Sequence, residues 1–222
     1  MKKRIVCFGD SNTWGYIPGG KGRYDENTRW TGVLQNELGS HFQIIEEGMN
    51  GRTSMFEDPW YPHRNGYSAL DTILITKKPL DMFIIALGTN DIKATHSAFG
   101  ARQGVSFLVS ELLTANERLS YSDPIPVFEN GPKILVLSPI HIRSDIRALN
   151  PDTYFEDVWK ESLSFAKEFA RIEVRFPGVC VLDSAKYAVP SAVDGVHMNA
   201  VSHKNLGQAV AAKVKDMLGE TK

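Results

Sequence analysis

The chain predicts an α/β fold, a three-layer α/β/α sandwich in which a five-stranded parallel sheet carries helices on both faces. Three observations support this. Short apolar runs recur at residues 5–8, 42–45, 82–87, 134–137 and 179–182, as strands buried on both faces require. Stretches with helical spacing of apolar residues lie between them. Strand and helix therefore alternate along the whole length, the pattern of a parallel sheet built from right-handed crossovers. No internal repeat, low-complexity tract or linker divides the chain, so residues 1–222 read as one domain.

The first run, Ile5-Val6-Cys7-Phe8, stops at Gly9 and Asp10, both turn formers, and leaves Ser11 just past the strand's carboxyl end. A polar, Gly-rich loop follows over residues 15–28, with Pro18, Gly19 and Gly20 at its centre. Trp30, Val33, Leu34 and Leu38 share one face of a helix that ends at Gly39. The second run ends at Glu46-Glu47-Gly48, and a second long loop, residues 49–66, holds Phe56, Trp60 and Tyr61. Residues 67–78 read as a helix stopped by Pro79, and the third run is terminated by Gly88-Thr89-Asn90-Asp91. Helical periodicity covers residues 99–119, followed by a Pro-rich connection over 120–132 and the fourth run. A loop over 139–151 leads to one long amphipathic helix, residues 154–175, then to the fifth run and a closing helix over 199–218.

Composition narrows the function. Of 222 residues, 42% are hydrophobic and 23% charged, as in ordinary soluble globular proteins. A formal net charge of -1 leaves no basic footprint for nucleic acid. Lys2-Lys3-Arg4 is followed by only four apolar residues, too few for the core of a signal peptide, and no stretch has the length of a membrane span. Neither a nucleic acid nor a membrane is therefore an expected partner. Cys7 and Cys180 both fall in predicted strands, which points to buried free thiols and a reducing cytoplasm rather than a disulfide or a metal site.

In a parallel sheet, the loops that follow the strands all reach one rim, and these loops carry Ser11, Gly51, Asn90, His141 and His197. Open α/β sheets gather their ligands at that rim. Ser11 there is either a helix cap or a nucleophile. Asp194-Gly195-Val196-His197 places an acid three residues before a histidine on a turn. The acid can reach the ring's Nδ1–H and leave Nε2 to accept a proton, or it can simply cap the turn. Asn90 offers a side-chain amide, and Gly51 a backbone N–H with no Cβ in the way, where an oxyanion would form.

Gly9-Asp10-Ser11, Gly51, Gly88-Thr89-Asn90-Asp91 and Asp194-Gly195-Val196-His197 resemble, in order and spacing, the four blocks of the SGNH (GDSL-type) hydrolases, a family with a flavodoxin-like sandwich fold. The resemblance implies Ser11 as nucleophile, His197 as general base and Asp194 as the residue orienting it. It further implies an oxyanion hole made of the Ser11 N–H, the Gly51 N–H and the Asn90 side chain, with no metal or organic cofactor. Asn12-Thr13-Trp14-Gly15-Tyr16, Arg29-Trp30-Thr31-Gly32-Val33-Leu34 and Glu46-Glu47-Gly48 are similar to the bacterial arylesterase and acyltransferase branch. That branch implies a homo-oligomer whose loops restrict the acyl pocket. One departure stands out: the Leu that names the motif is Asn12 here, at a position expected mainly to pack.

The resulting expectation is a serine esterase acting on short acyl esters, with water or an alcohol taking the acyl group from an acyl-enzyme. A carbohydrate O-acetylesterase or a lysophospholipase could use the same machinery. A flavodoxin-like module that binds a ligand without reaction is the alternative of another class, although the first loop has no Gly-rich phosphate cradle. His141, with Asp145 four residues on, is the rival base, whereas His63, His96 and His203 read as surface residues. Asp10 and Asp91 are expected to bond amides of their own turns. Trp14 is a candidate wall of the acyl pocket, and Phe56, Trp60 and Tyr61 are candidates for a subunit contact.

Overall fold

The computed structural model describes residues 2–58, 61–121, 124–151 and 153–220, so Trp60 lies outside the described residues. The apolar runs form the strands β1 (Lys3–Gly9), β2 (Phe42–Gly48), β3 (Met82–Ala86), β4 (Ile134–Ser138) and β5 (Cys180–Asp183). They pair in parallel in the order β2-β1-β3-β4-β5.

The period of two along each strand feeds two separate cores. Val6, Phe8, Phe83, Ile85 and Val136 point to one face, where they meet α3 (Gly66–Lys77), α5 (Ala98–Leu113) and α9 (Phe165–Arg175). Ile5, Cys7, Met82, Ile84, Leu135 and Leu137 point to the other, against α2 (Trp30–Leu38) and α10 (Ala200–Met217). Both faces of the sheet are thus covered, which is why its strands read as continuous apolar runs rather than alternating ones. Cys7 and Cys180 are free, and Cys7 is buried.

Shorter helices α1 (Ser11–Trp14), α4 (Asp91–Thr95), α7 (Ile146–Leu149) and α8 (Trp159–Ser162) lie at the rim that follows the strands, and α6 (Ala115–Arg118) follows α5 at the opposite rim. Here the structure corrects the sequence reading. Residues 154–175 are not one helix but turns, then α8, then α9. Ser162 interrupts it: its buried hydroxyl donates to Trp159 O at 2.5 Å and accepts the Ile142 N–H at 2.9 Å, so the side chain competes for the backbone bonds that would continue the helix. His203 is a second correction. It faces the core on α10 and is 0% exposed, because it shares a helical face with Leu206 and Val210.

Among the described residues no helix is long and apolar enough to cross a membrane.

Candidate active site

Ser11 begins α1 but does not cap it. That role falls to Asp10, whose carboxylate accepts the Asn12 N–H at 2.9 Å. Relieved of capping, the Ser11 hydroxyl lies 2.9 Å from His197 Nε2, and His197 Nδ1 lies 2.9 Å from Asp194 Oδ2. A carboxylate only accepts, so Nδ1 carries the hydrogen and Nε2 keeps its lone pair for the serine O–H. The other Asp194 oxygen accepts the backbone N–H groups of Val196 at 3.2 Å and His197 at 3.0 Å.

Charge follows this geometry. Burial alone would raise the Asp194 carboxyl, but the His197 ring N–H, the charge of that ring and the two backbone N–H groups outweigh it and hold it below the usual carboxylate value. Beneath the site two carboxyls behave differently. Burial pushes Asp10 up to about 6 and Asp91 also to about 6, although hydrogen bonds oppose both shifts. Asp10 bonds within its own turn as expected. Asp91 also reaches beyond its turn: it accepts the Ser54 N–H at 3.0 Å and the Ser54 hydroxyl, fastening the loop after β2 to the end of β3.

That fastening matters for the remaining candidates. Residues 49–52 form a turn closed by Arg52 N–H to Met49 O at 3.1 Å, with Gly51 at its third position and φ at +75°. Such a turn needs glycine there and leaves the Gly51 N–H outside its own hydrogen bond. Asn90 is buried and donates one side-chain N–H to Arg52 O at 3.1 Å, while its amide carries a second. The Ser11 N–H heads a helix and has no intrahelical acceptor.

Two of the clefts that open on this rim are lined by the candidate residues His197 and Asn90. One, of about 330 Å³, is lined by His197, Asp194, Tyr16, Leu149, Phe155 and Val196, among others. The second, of about 500 Å³, is lined by Asn90, Thr53, Lys93, Glu57, Tyr61 and Tyr154, among others. Thr153 borders both. Trp14 is half-buried under the Arg23 guanidinium, 5.0 Å from its ring centre, and lines neither of these clefts.

Residues that sequence reasoning passed over also gather here. The Tyr16 ring lies against His197 with centroids 4.4 Å apart. Arg52 is buried over the Phe8 ring and donates to Gly9 O at 3.1 Å and to Glu47 O, tying together the ends of β1 and β2. Its neighbours Asn50, Gly51, Thr53 and Ser54 are polar or small, so no local pattern signalled the burial of a guanidinium that must find carbonyls or carboxylates. The rival base His141 is not oriented by Asp145, because both carboxylate oxygens of Asp145 take Arg143, each at 2.7 Å. Among the described residues no three or more His, Cys, Asp or Glu side chains are grouped to hold a metal ion.

No curated protein matches the chain. Among solved structures, the native aryl esterase of M. smegmatis is 35% identical, with a TM-score of 0.86 and 97% of this chain and 99% of that one covered. A carbohydrate acetylesterase family member from Sinorhizobium meliloti is 33% identical, with a TM-score of 0.86 and 98% of this chain and 99% of that one covered. The family model of the GDSL-like lipases and acylhydrolases matches residues 7–204. With every sequence block of the site inside that span, the chain belongs to the GDSL-like lipase/acylhydrolase family.

Proposed function

We propose that this chain is a serine esterase for short acyl esters, with Ser11 as nucleophile, His197 as general base and Asp194 orienting the base. The observation that carries the reading is the unbroken hydrogen-bond chain from Asp194 Oδ2 through His197 to Ser11 Oγ, 2.9 Å at each link. Ser11 Oγ attacks the acyl carbon as its proton passes to His197 Nε2. The oxyanion then faces the Ser11 N–H, the Gly51 N–H and the free N–H of Asn90. Collapse sends that proton to the leaving oxygen and leaves an acyl-enzyme, which water cleaves by the same steps. An alcohol in place of water gives acyl transfer.

The leaving oxygen must reach His197 Nε2, which directs the departing alcohol or phenol toward the cleft of Tyr16, Leu149, Phe155 and Val196. Its largely apolar wall suits an aryl group. The carbonyl oxygen points toward Asn90 and the second cleft, whose lining carries more charged side chains, among them Glu57, Lys93 and Glu156.

Fluorophosphonate labelling of the folded protein tests the assignment: the label is expected on Ser11 alone. Ser11→Ala and His197→Ala are each expected to lower kcat by roughly three to six orders of magnitude, and the double variant by little more, since the residues act as a unit. A Ser11→Ala protein that still turns over would end this reading.

The similarity to the Sinorhizobium meliloti acetylesterase favours a second reading, an O-acetylesterase of carbohydrates. A ladder of p-nitrophenyl esters from acetate to dodecanoate, set beside an acetylated xylo-oligosaccharide, separates the two.

A further inference from the structure

We propose that Asn12 is a positioning residue, setting the distance between base and nucleophile through one hydrogen bond to the backbone beside His197; this rests on the roles of Ser11 and His197 proposed above. Asn12 Oδ1 accepts the Met198 N–H at 2.9 Å, across 186 residues of chain. Each partner adjoins a reacting residue, Asn12 next to Ser11 and Met198 next to His197. The contact therefore constrains the two peptide units nearest the reacting atoms.

The topology makes such a tie necessary. Ser11 follows β1 and His197 belongs to the segment after β5, and two strands, β3 and β4, separate β1 from β5 in the sheet. No ladder pairs the two strands, so sheet register does not set their spacing. The loop carrying His197 is well held within itself: Ser191 N–H donates to His197 O at 2.8 Å, Gly195 N–H to Ser191 O at 2.9 Å and His197 N–H to Asp194 Oδ1 at 3.0 Å. Asn199 caps α10 by accepting the Ser202 N–H at 2.9 Å. These bonds give the loop its shape but say nothing of its distance from Ser11. The Gly19 N–H does reach Asp194 Oδ2, at 3.3 Å, but from an exposed residue of the following loop. Asn12 is better anchored, because its own N–H is taken by the buried Asp10 carboxyl.

A residue expected mainly to pack thus acts as an acceptor. Leucine, of similar size, would leave the Met198 N–H without this partner and His197 free to drift, and displacement of about 1 Å in a reacting pair can cost about 100-fold in rate.

Three variants and a reference test this with p-nitrophenyl acetate, each first checked for a folded melting transition. Asn12→Leu and Asn12→Ala are expected to lower kcat roughly 10- to 100-fold with KM within about 2-fold, and to slow fluorophosphonate labelling of Ser11 in step. Asn12→Asp keeps the accepting oxygen and is expected to hold its plateau kcat within about 3-fold. Retention in Asp beside loss in Leu, a side chain of similar size with no accepting oxygen, is a pattern that a packing role would not produce. Should Asn12→Leu fail to fold, the Ala and Asp variants decide. Parent-like kcat in Asn12→Ala overturns the proposal, and so does an Asp variant as slow as the Ala variant. If Ser11→Ala is inert in the same assay while Asn12→Ala is unimpaired, only the role of Asn12 falls. If Ser11→Ala is active, the nucleophile assignment falls and takes this proposal with it.

Discussion

Tyr16 covers one face of the imidazole of His197, 4.4 Å between centroids with the planes tilted by 35°. The ring both restricts rotation of the imidazole and walls the 330 Å³ cleft. Tyr16→Phe keeps the ring and should leave kcat/KM within about 2-fold. Tyr16→Ala should lower it about 10-fold for p-nitrophenyl acetate and less for methyl acetate, which has no aryl group to seat, as steady-state kinetics would record. Asp194→Asn sets a different problem: an amide nitrogen facing Nδ1 favours the tautomer with its hydrogen on Nε2, which no longer accepts from Ser11. A fall in kcat of roughly 1,000- to 10,000-fold is expected, with the melting temperature little changed. At this scale the proposed triad was legible because each member sits in a short local pattern. Ser11 follows Gly9 and Asp10 at a strand end, and Asp194 stands three residues before His197. Tyr16, Arg52 and the bond from Asn12 were not, because their partners lie far along the chain and no spacing rule connects them.

The tightest helix contact lies between α2 and α10. A Cβ on Gly207 would meet Val33 Cβ at 2.6 Å and the backbone oxygen of Trp30 at 2.7 Å, and neither can swing aside. Gly207→Ala should therefore destabilise the protein by about 1–3 kcal/mol, read from the urea midpoint, despite alanine's better helix propensity. A stabilised variant would show that the helices can part. The elements themselves were readable to different degrees. Strands with both faces buried announce themselves as apolar runs, and α2 was bounded by Trp30 and Gly39. The break between α8 and α9 was hidden, because a hydroxyl such as that of Ser162 interrupts a helix only when a distant amide, here Ile142 N–H, is there to use it. The burial of His203 could have been read from its spacing to Leu206 and Val210, a signal outweighed by the polarity of the residue.

For the molecule as a whole, His203 links stability to pH. Its Nδ1 accepts the Trp30 N–H at 3.3 Å, and burial, with lesser contributions from the charges of His197 and Arg29, lowers it to about 4. Between about 4 and the ordinary value near 6.5, the unfolded chain takes up a proton that the folded chain refuses, so this group's contribution falls as pH falls through that window. Asp10 and Asp91, raised to about 6, act with the opposite sign, because there the folded chain binds protons more readily than the unfolded one. Urea denaturation of parent and His203→Gln between pH 4 and 7 isolates the histidine. The variant should lose the acid-side decline due to His203, a difference of at most roughly 3 kcal/mol across the window. Parallel curves would refute it.

The separation of 186 residues between Ser11 and His197 carries a consequence for biosynthesis. At ribosomal speeds of about 5–20 residues per second, the serine precedes its histidine by roughly 10 to 40 s, and throughout that interval the nascent polypeptide has an ordinary alcohol at residue 11. On the proposed mechanism, reactivity arrives only when the last strand and the loop behind it join the sheet, so translation that halts before residue 197 would yield a fragment unable to attack esters.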